Sequence, residues 1–262
     1  MNKLIEFKNK EGEILRGIFS DEKNDGVVLC VHGFERTAVT EPKFKRLSDE
    51  LFKNRVSSFR FDFSGCGLSD GNFKDTTVKK MADELFLAVK ALNENKRKVS
   101  IAAHSLAGCV LAVFFKKHPD ILFEKIILIA PAFNQKELLR FYFAVSKVKR
   151  IDKNIEINWK NYKEYFSEEE FLESYKNKER MSKANYFPLA YFEENKEKDY
   201  SNYFSGNEEN ILHIHGDKDN TVPKESLNVK FKNTFVVKGG DHDLERPTMQ
   251  EQWLGRVIDF LS

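Results

Sequence analysis

A serine, an aspartate and a histidine follow one another along this 262-residue chain, each placed just past an apolar run. Ser105 closes the run in KVSIAAHSLAGC, Asp217 and Asp219 follow LHIHG, and His242 lies in GGDHD. A serine hydroxyl is a weak nucleophile near neutral pH and needs a base within hydrogen-bond reach, which an imidazole supplies. A carboxylate behind the imidazole holds the tautomer that leaves the other ring nitrogen free. Singly, each residue has a plainer reading. A serine between strand and helix caps the helix, an aspartate after a strand forms a turn, and a histidine in a glycine-rich loop is solvated. Their joint occurrence in that order points to nucleophilic acyl transfer.

Residues so far apart meet only on a scaffold that brings strand ends together. Apolar β-prone runs fall at residues 27–31, 56–61, 99–103, 126–129, 211–214 and 234–237. Spacing near 3.6 residues predicts helices at 41–54, 78–93, 106–117, 224–229 and 249–261. Residues 4–7 and 14–19, separated by KNKEGE, predict a hairpin at a sheet edge. The fold class expected is therefore α/β, a mostly parallel doubly wound sheet of about eight strands with helices on both faces. In such sheets ligands lie beyond the carboxyl ends of the strands, where His32, Asp62, Ser105, Asp219 and His242 all fall.

The alternation stops between about Phe133 and Ser205. All eight tyrosines lie in this stretch, with Trp159 and dense charge, which suggests amphipathic helices. We expect a core made of residues 1–132 and 206–262 and a helical cap insertion at 133–205. Aromatics packed only among themselves are the plainer alternative.

Composition narrows the function classes. Forty-three basic against forty-one acidic residues leave a formal charge of +2 without long single-sign blocks, so neither nucleic acid nor stable membrane insertion is expected. Cys30, Cys66 and Cys109 show no zinc or C-x-x-C spacing, and a reduced, cytoplasmic setting is expected. No signal-like apolar segment opens the sequence, and IILIAPAF is too short to span a bilayer. The histidines and carboxylates show no metal-ligand spacing, and SGCGLSDG lacks both G-x-G-x-x-G and a P-loop lysine. We expect no metal and no cofactor.

Motifs along nearly the whole chain resemble those of α/β-hydrolase-fold serine hydrolases: HGF at 32–34, DFSGCGLSDG at 62–71, AHSLAG at 103–108, HGDKDNTVP at 215–223 and GGDHD at 239–243. Within that fold the chain is similar to small bacterial carboxylesterases, including cinnamoyl and feruloyl esterases, and to aminopeptidase-like hydrolases. The resemblance implies Ser105 as nucleophile, His242 as general base and Asp219 as the acid that orients it, with Asp217 a turn residue. It also implies an oxyanion hole made by the backbone N–H groups of Phe34 and Leu106. His32 would hold its loop, His104 would pack or line the pocket, and Cys66 has no basic sequence neighbour to activate it.

One departure stands out. The nucleophile elbow is usually G-x-S-x-G, and both glycine positions here hold alanine, Ala103 and Ala107. One methyl group at each is a small departure, costing about 1 kcal/mol of strain. The function expected is hydrolysis of a small, apolar or aromatic carboxylic ester through an acyl-enzyme. Amide or peptide, thioester and lysophospholipid substrates, or a non-catalytic binding protein on this fold, are the alternatives. The sequence leaves a homodimer open.

Overall fold

The computed structural model describes residues 2–22, 25–93, 97–176, 187–204 and 209–262. Eight strands form one sheet: β1 (Asn2–Lys8), β2 (Ile14–Ser20), β3 (Gly26–Val31), β4 (Ser57–Phe61), β5 (Lys98–His104), β6 (Ile126–Ile129), β7 (Ile211–Gly216) and β8 (Asn233–Val237). Their order is β1-β2-β4-β3-β5-β6-β7-β8. The hairpin β1–β2 is antiparallel and sits at one edge, β2 pairs antiparallel with β4, and every pairing from β4 to β8 is parallel. Strands β3 and β6 are covered on both faces, so they read as unbroken apolar runs, GVVLCV and IILI.

Two helices cover each face. On one, α1 (Pro42–Lys53) and α7 (Pro247–Leu261) both begin with proline, whose fixed φ suits the first helical turn. Phe44, Leu47 and Leu51 recur at i, i+3 and i+7 and pack with Trp253 against Cys30, Ala102, Ile127 and Ile214. On the other, α2 (Val78–Asn93) and α3 (Ala107–Lys117) press Leu85, Val110 and Phe114 onto Leu29, Phe59, Ile101 and Leu128.

Among the described residues between β6 and β7 are three inserted α-helices, α4 (Gln135–Ile151), α5 (Glu168–Lys176) and α6 (Leu189–Asn195). Asn134 caps α4 by accepting from the Glu137 N–H at 3.2 Å. Arg140 of α4 binds Glu168, Glu197 and the Lys196 carbonyl, which joins the inserted helices through one guanidinium. Glu194 of α6 accepts from the Val78 and Lys79 N–H groups at 2.5 and 3.1 Å, so its carboxylate meets the N-terminus of α2 and fastens the insertion to the core. Phe143, Phe171 and Phe192 belong to the same apolar cluster as the sheet face beneath them.

The helix expected at 224–229 is not there. Lys224–Ser226 makes a single 3-10 turn after Pro223, and Leu227 is already extended at φ −78°, ψ 122°. Six residues cannot repay helix nucleation on their own, and Asn228 and Val229 are poor helix formers. The link from β7 to β8 therefore runs as a loop that packs Leu227 and Val229 on the core.

Candidate active site

Ser105 directly follows β5, two residues before α3 begins. Its φ is +56°, a conformation that side-chain-bearing residues hold only where their surroundings fix it. The fixing contacts are backbone ones. The Ser105 N–H donates to the Ile129 carbonyl at 2.9 Å, and its carbonyl accepts from Gly108 and Ala132, both at 3.1 Å. The turn is thus pinned to β6 and the loop after it, and the hydroxyl projects where three other strand ends deliver their loops.

Ser105 Oγ lies 2.9 Å from His242 Nε2, and His242 Nδ1 lies 2.8 Å from Asp219 Oδ2. The carboxylate is saturated with contacts. Its Oδ1 accepts from the Thr221 and Val222 N–H groups at 3.0 and 2.8 Å, and His215 Nε2 stands 3.3 Å from Oδ2. Burial pushes the Asp219 carboxyl up, but its contacts with His215 and His242 outweigh that and hold it down at about 2. An ionised Asp219 acts only as an acceptor, so the proton on His242 Nδ1 points to it and Nε2 is free to accept from the serine. Asp217, the other acid in LHIHGDKD, instead accepts from the Gly239 N–H at 2.7 Å and joins the ends of β7 and β8.

Four of the other histidines hold the frame. His32 Nε2 accepts from the Phe63 N–H at 3.0 Å and Nδ1 donates to the Gly33 carbonyl at 2.8 Å, while burial lowers its pKa to about 4 and keeps it neutral. It thereby supports the loop containing Gly33 and Phe34. His104 donates from Nε2 to the His242 carbonyl at 3.0 Å. His215 donates to the Val222 carbonyl at 2.8 Å, next to the N–H that serves Asp219, and His213 stands 3.1 Å behind it. Asp62 gathers the Thr37 hydroxyl and the Ala38, Val39 and Leu68 N–H groups. Burial raises the thiols of Cys30 and Cys66 to about 12 and pushes Cys109 well up, so none of the three is a ready thiolate.

Ser105, His242, Phe34 and Leu106 line one cavity of about 430 Å³. The insertion supplies its opposite wall, with Phe141, Tyr142 and Val145 from one face of α4, then Phe187 and Tyr191. Phe34 meets Phe187 and Tyr191 with ring centroids 5.0 and 4.8 Å apart, and Tyr142 stacks near Phe187. The described aromatics between residues 133 and 204 are therefore divided between packing and lining. Three lining or supporting residues carried no distinctive sequence signal. Gln135, which accepts from the Tyr191 hydroxyl at 2.5 Å, His215 and Tyr142 are recognisable only once the chain is folded.

Solved structures share this fold over all of this chain and most of their own length. Est1E from Butyrivibrio proteoclasticus, solved with ferulic acid bound, superposes with a TM-score of 0.68 at 19% identity, over 100% of this chain and 97% of its own. The Pyrococcus furiosus esterase Pf2001 gives 0.66 at 18% identity, over 100% and 90%. The α/β hydrolase GrgF from Penicillium sp. sh18 gives 0.66 at 17% identity, over 100% and 98%. At these identities the likeness is one of fold. No curated protein matches the chain in sequence at a significant level. The family model described as "Serine aminopeptidase, S33" matches residues 22–244, and the chain accordingly belongs to that family of α/β-hydrolase-fold serine hydrolases.

Proposed function

We propose that the chain is a serine esterase that cleaves small carboxylic esters with apolar or aromatic acyl groups through an acyl-enzyme. The observation that carries this reading is the unbroken contact from Ser105 through His242 to Asp219 at the floor of an aromatic-walled cavity. Ser105 attacks the ester carbonyl while His242 takes its proton, and Asp219 stabilises the resulting imidazolium. His242 then protonates the departing alcohol, and a water activated by the same ring releases the acid. The N–H groups of Phe34 and Leu106 serve the oxyanion, a contribution of roughly 3 kcal/mol from each donor in comparable sites.

Residues 133–205 act as a cap, their aromatic side chains excluding water and gripping the acyl group. Ferulic acid in Est1E is an aryl acid of the size and apolar character that such walls accommodate. The family's description as aminopeptidases makes aminoacyl amides the second substrate class to compare. Hydrolysis of short-chain p-nitrophenyl esters, hydroxycinnamate esters and aminoacyl anilides by the wild type and by Ser105→Ala tests the reading. Ester turnover that vanishes in Ser105→Ala supports it, and equal rates in the two proteins overturn it.

A further inference from the structure

The turn carrying His242 is tied down at three successive points. Arg36 Nη2 donates to both carboxylate oxygens of Asp243, at 2.7 and 2.9 Å. Lys43, whose side chain is 0% exposed, stands 3.1 Å from Glu245 and 3.1 Å from Glu41. Its third polar neighbour is His104 Nδ1 at 3.5 Å, and His104 Nε2 in turn donates to the His242 carbonyl. Arg36 Nε lies 3.7 Å from Glu41, so the cations and carboxylates form one connected network.

This network is more than surface decoration. A wholly buried ammonium is tolerated only when anions and acceptors compensate its lost hydration, and Lys43 has two carboxylates and a ring nitrogen around it. Leu244, between the two anchored acids, is fully buried at φ +52°, a backbone state that persists only where the surroundings over-determine it. The anchors also come from the elements that carry the rest of the site. Arg36 lies two residues after Phe34, Lys43 lies in the first turn of α1, and His104 precedes Ser105.

We propose that Arg36, Lys43 and His104 are positioning residues, a clamp on the turn 242–245 that sets the His242 ring against Ser105 and couples the Phe34 loop to it. The inference rests on the reading of Ser105, His242 and Asp219 as a catalytic triad. A ring held within a fraction of an ångström of its productive place is worth a large rate factor, since small misplacements of reacting groups are costly.

Asp243 and Glu245 do not line the cavity, so they can be altered without touching substrate. The test compares wild type with the double variant Asp243→Asn/Glu245→Gln, with circular dichroism checking that both are folded. We expect kcat to fall about tenfold or more with KM within about twofold. The far-downfield proton that His242 Nδ1 shares with Asp219 is read by NMR and should broaden or vanish in the variant. For the Arg36 arm, Arg36→Lys should retain more of kcat than Arg36→Gln. If the double variant fails to fold, Asp243→Asn alone, at the more exposed anchor, is read in the same way. Unchanged kcat and an unchanged Nδ1 proton in the folded variants overturn the clamp. Absence of ester hydrolysis and of fluorophosphonate labelling in the wild type would instead overturn the triad reading, and the NMR signal would still decide the clamp.

Discussion

Gly33 stands directly against Ser105: a methyl group at position 33 would lie 2.9 Å from the serine Cβ, 3.4 Å from its hydroxyl oxygen and 3.2 Å from the His104 carbonyl. Backbone cannot yield there, because the Ser105 turn is pinned to β6. Gly33→Ala should therefore displace the Phe34 loop or the serine, and either movement separates nucleophile from oxyanion donors. We expect ester kcat/KM to fall at least about tenfold, with thermal stability changed by only a few degrees. A steady-state assay beside a melting curve checks it, and full activity in Gly33→Ala would contradict the geometry.

Asp219 is the residue whose charge the site arranges most carefully. With its carboxyl held down at about 2, it stays ionised throughout the working range. Asp219→Asn keeps the shape but offers an amide, which can leave His242 in the wrong tautomer. The expected loss in kcat is about 10³- to 10⁴-fold. Fluorophosphonate labelling of Ser105 should slow in parallel, whereas a loss under tenfold would remove Asp219 from its role.

His215 supports the same carboxylate from behind. Its Nε2 faces both the Val222 carbonyl and Asp219 Oδ2, so the donor fixes the loop that presents the acid. Gln places an N–H near the position of Nε2, and Asn falls short of it. His215→Gln should keep kcat within about threefold, while His215→Asn should lose about tenfold, in line with other residues that act by orienting a reacting group. Equal kinetics of the two variants would show that the donor is not what matters.

The buried histidines predict acid sensitivity of the fold. His32 and His213 are held neutral by burial, with pKa values lowered to about 4 and about 3, and His104 is pushed well down for the same reason. An unfolded chain takes up protons at these rings near pH 6.5, and the folded chain refuses them until far lower. Their contribution is therefore fully present above about pH 6.5 and is lost progressively as pH falls toward 3. Tm should drop by about 5 to 10 °C between pH 7.5 and pH 5. His213→Asn should make that slope shallower, and an equally steep slope in the variant would count against it.

How much of this was legible in the sequence follows from range. Strand runs are local patterns and appear where periodicity puts them, and Ser105, Asp219 and His242 lie just past strand ends, as their place after apolar runs suggests. The helix expected at 224–229 failed because six residues with an apolar stripe do not show whether a turn can nucleate. Glycine shows the same limit. AHSLAG carries alanine where the elbow has glycine, yet a close approach falls on Gly108, where a methyl group would lie 2.8 Å from the Phe133 ring and 3.1 Å from Pro131. The sequence names the residue, but only the fold says which neighbour it must admit. Lys43, Arg36 and His215 were invisible for that reason, since charged residues acquire a role only from partners distant in the chain.

Tyr142 bears on substrate choice. It lines the cavity from α4, and its hydroxyl has no hydrogen-bond partner among the described residues. Burial, reinforced by the Asp219 charge, pushes its pKa up, so the phenol stays neutral and available as a donor. A neutral phenol among the residues that line the cavity suits a substrate that offers an acceptor, such as the methoxy or hydroxyl oxygen of a hydroxycinnamate. Tyr142→Phe removes the donor and keeps the ring, so the walls built with Phe187 should stay in place. We expect KM for hydroxycinnamate esters to rise about three- to tenfold, and KM for simple alkanoyl esters to stay within about twofold, as loss of one substrate hydrogen bond would give. Equal changes for both ester classes would mean that Tyr142 shapes the cavity without reading the substrate.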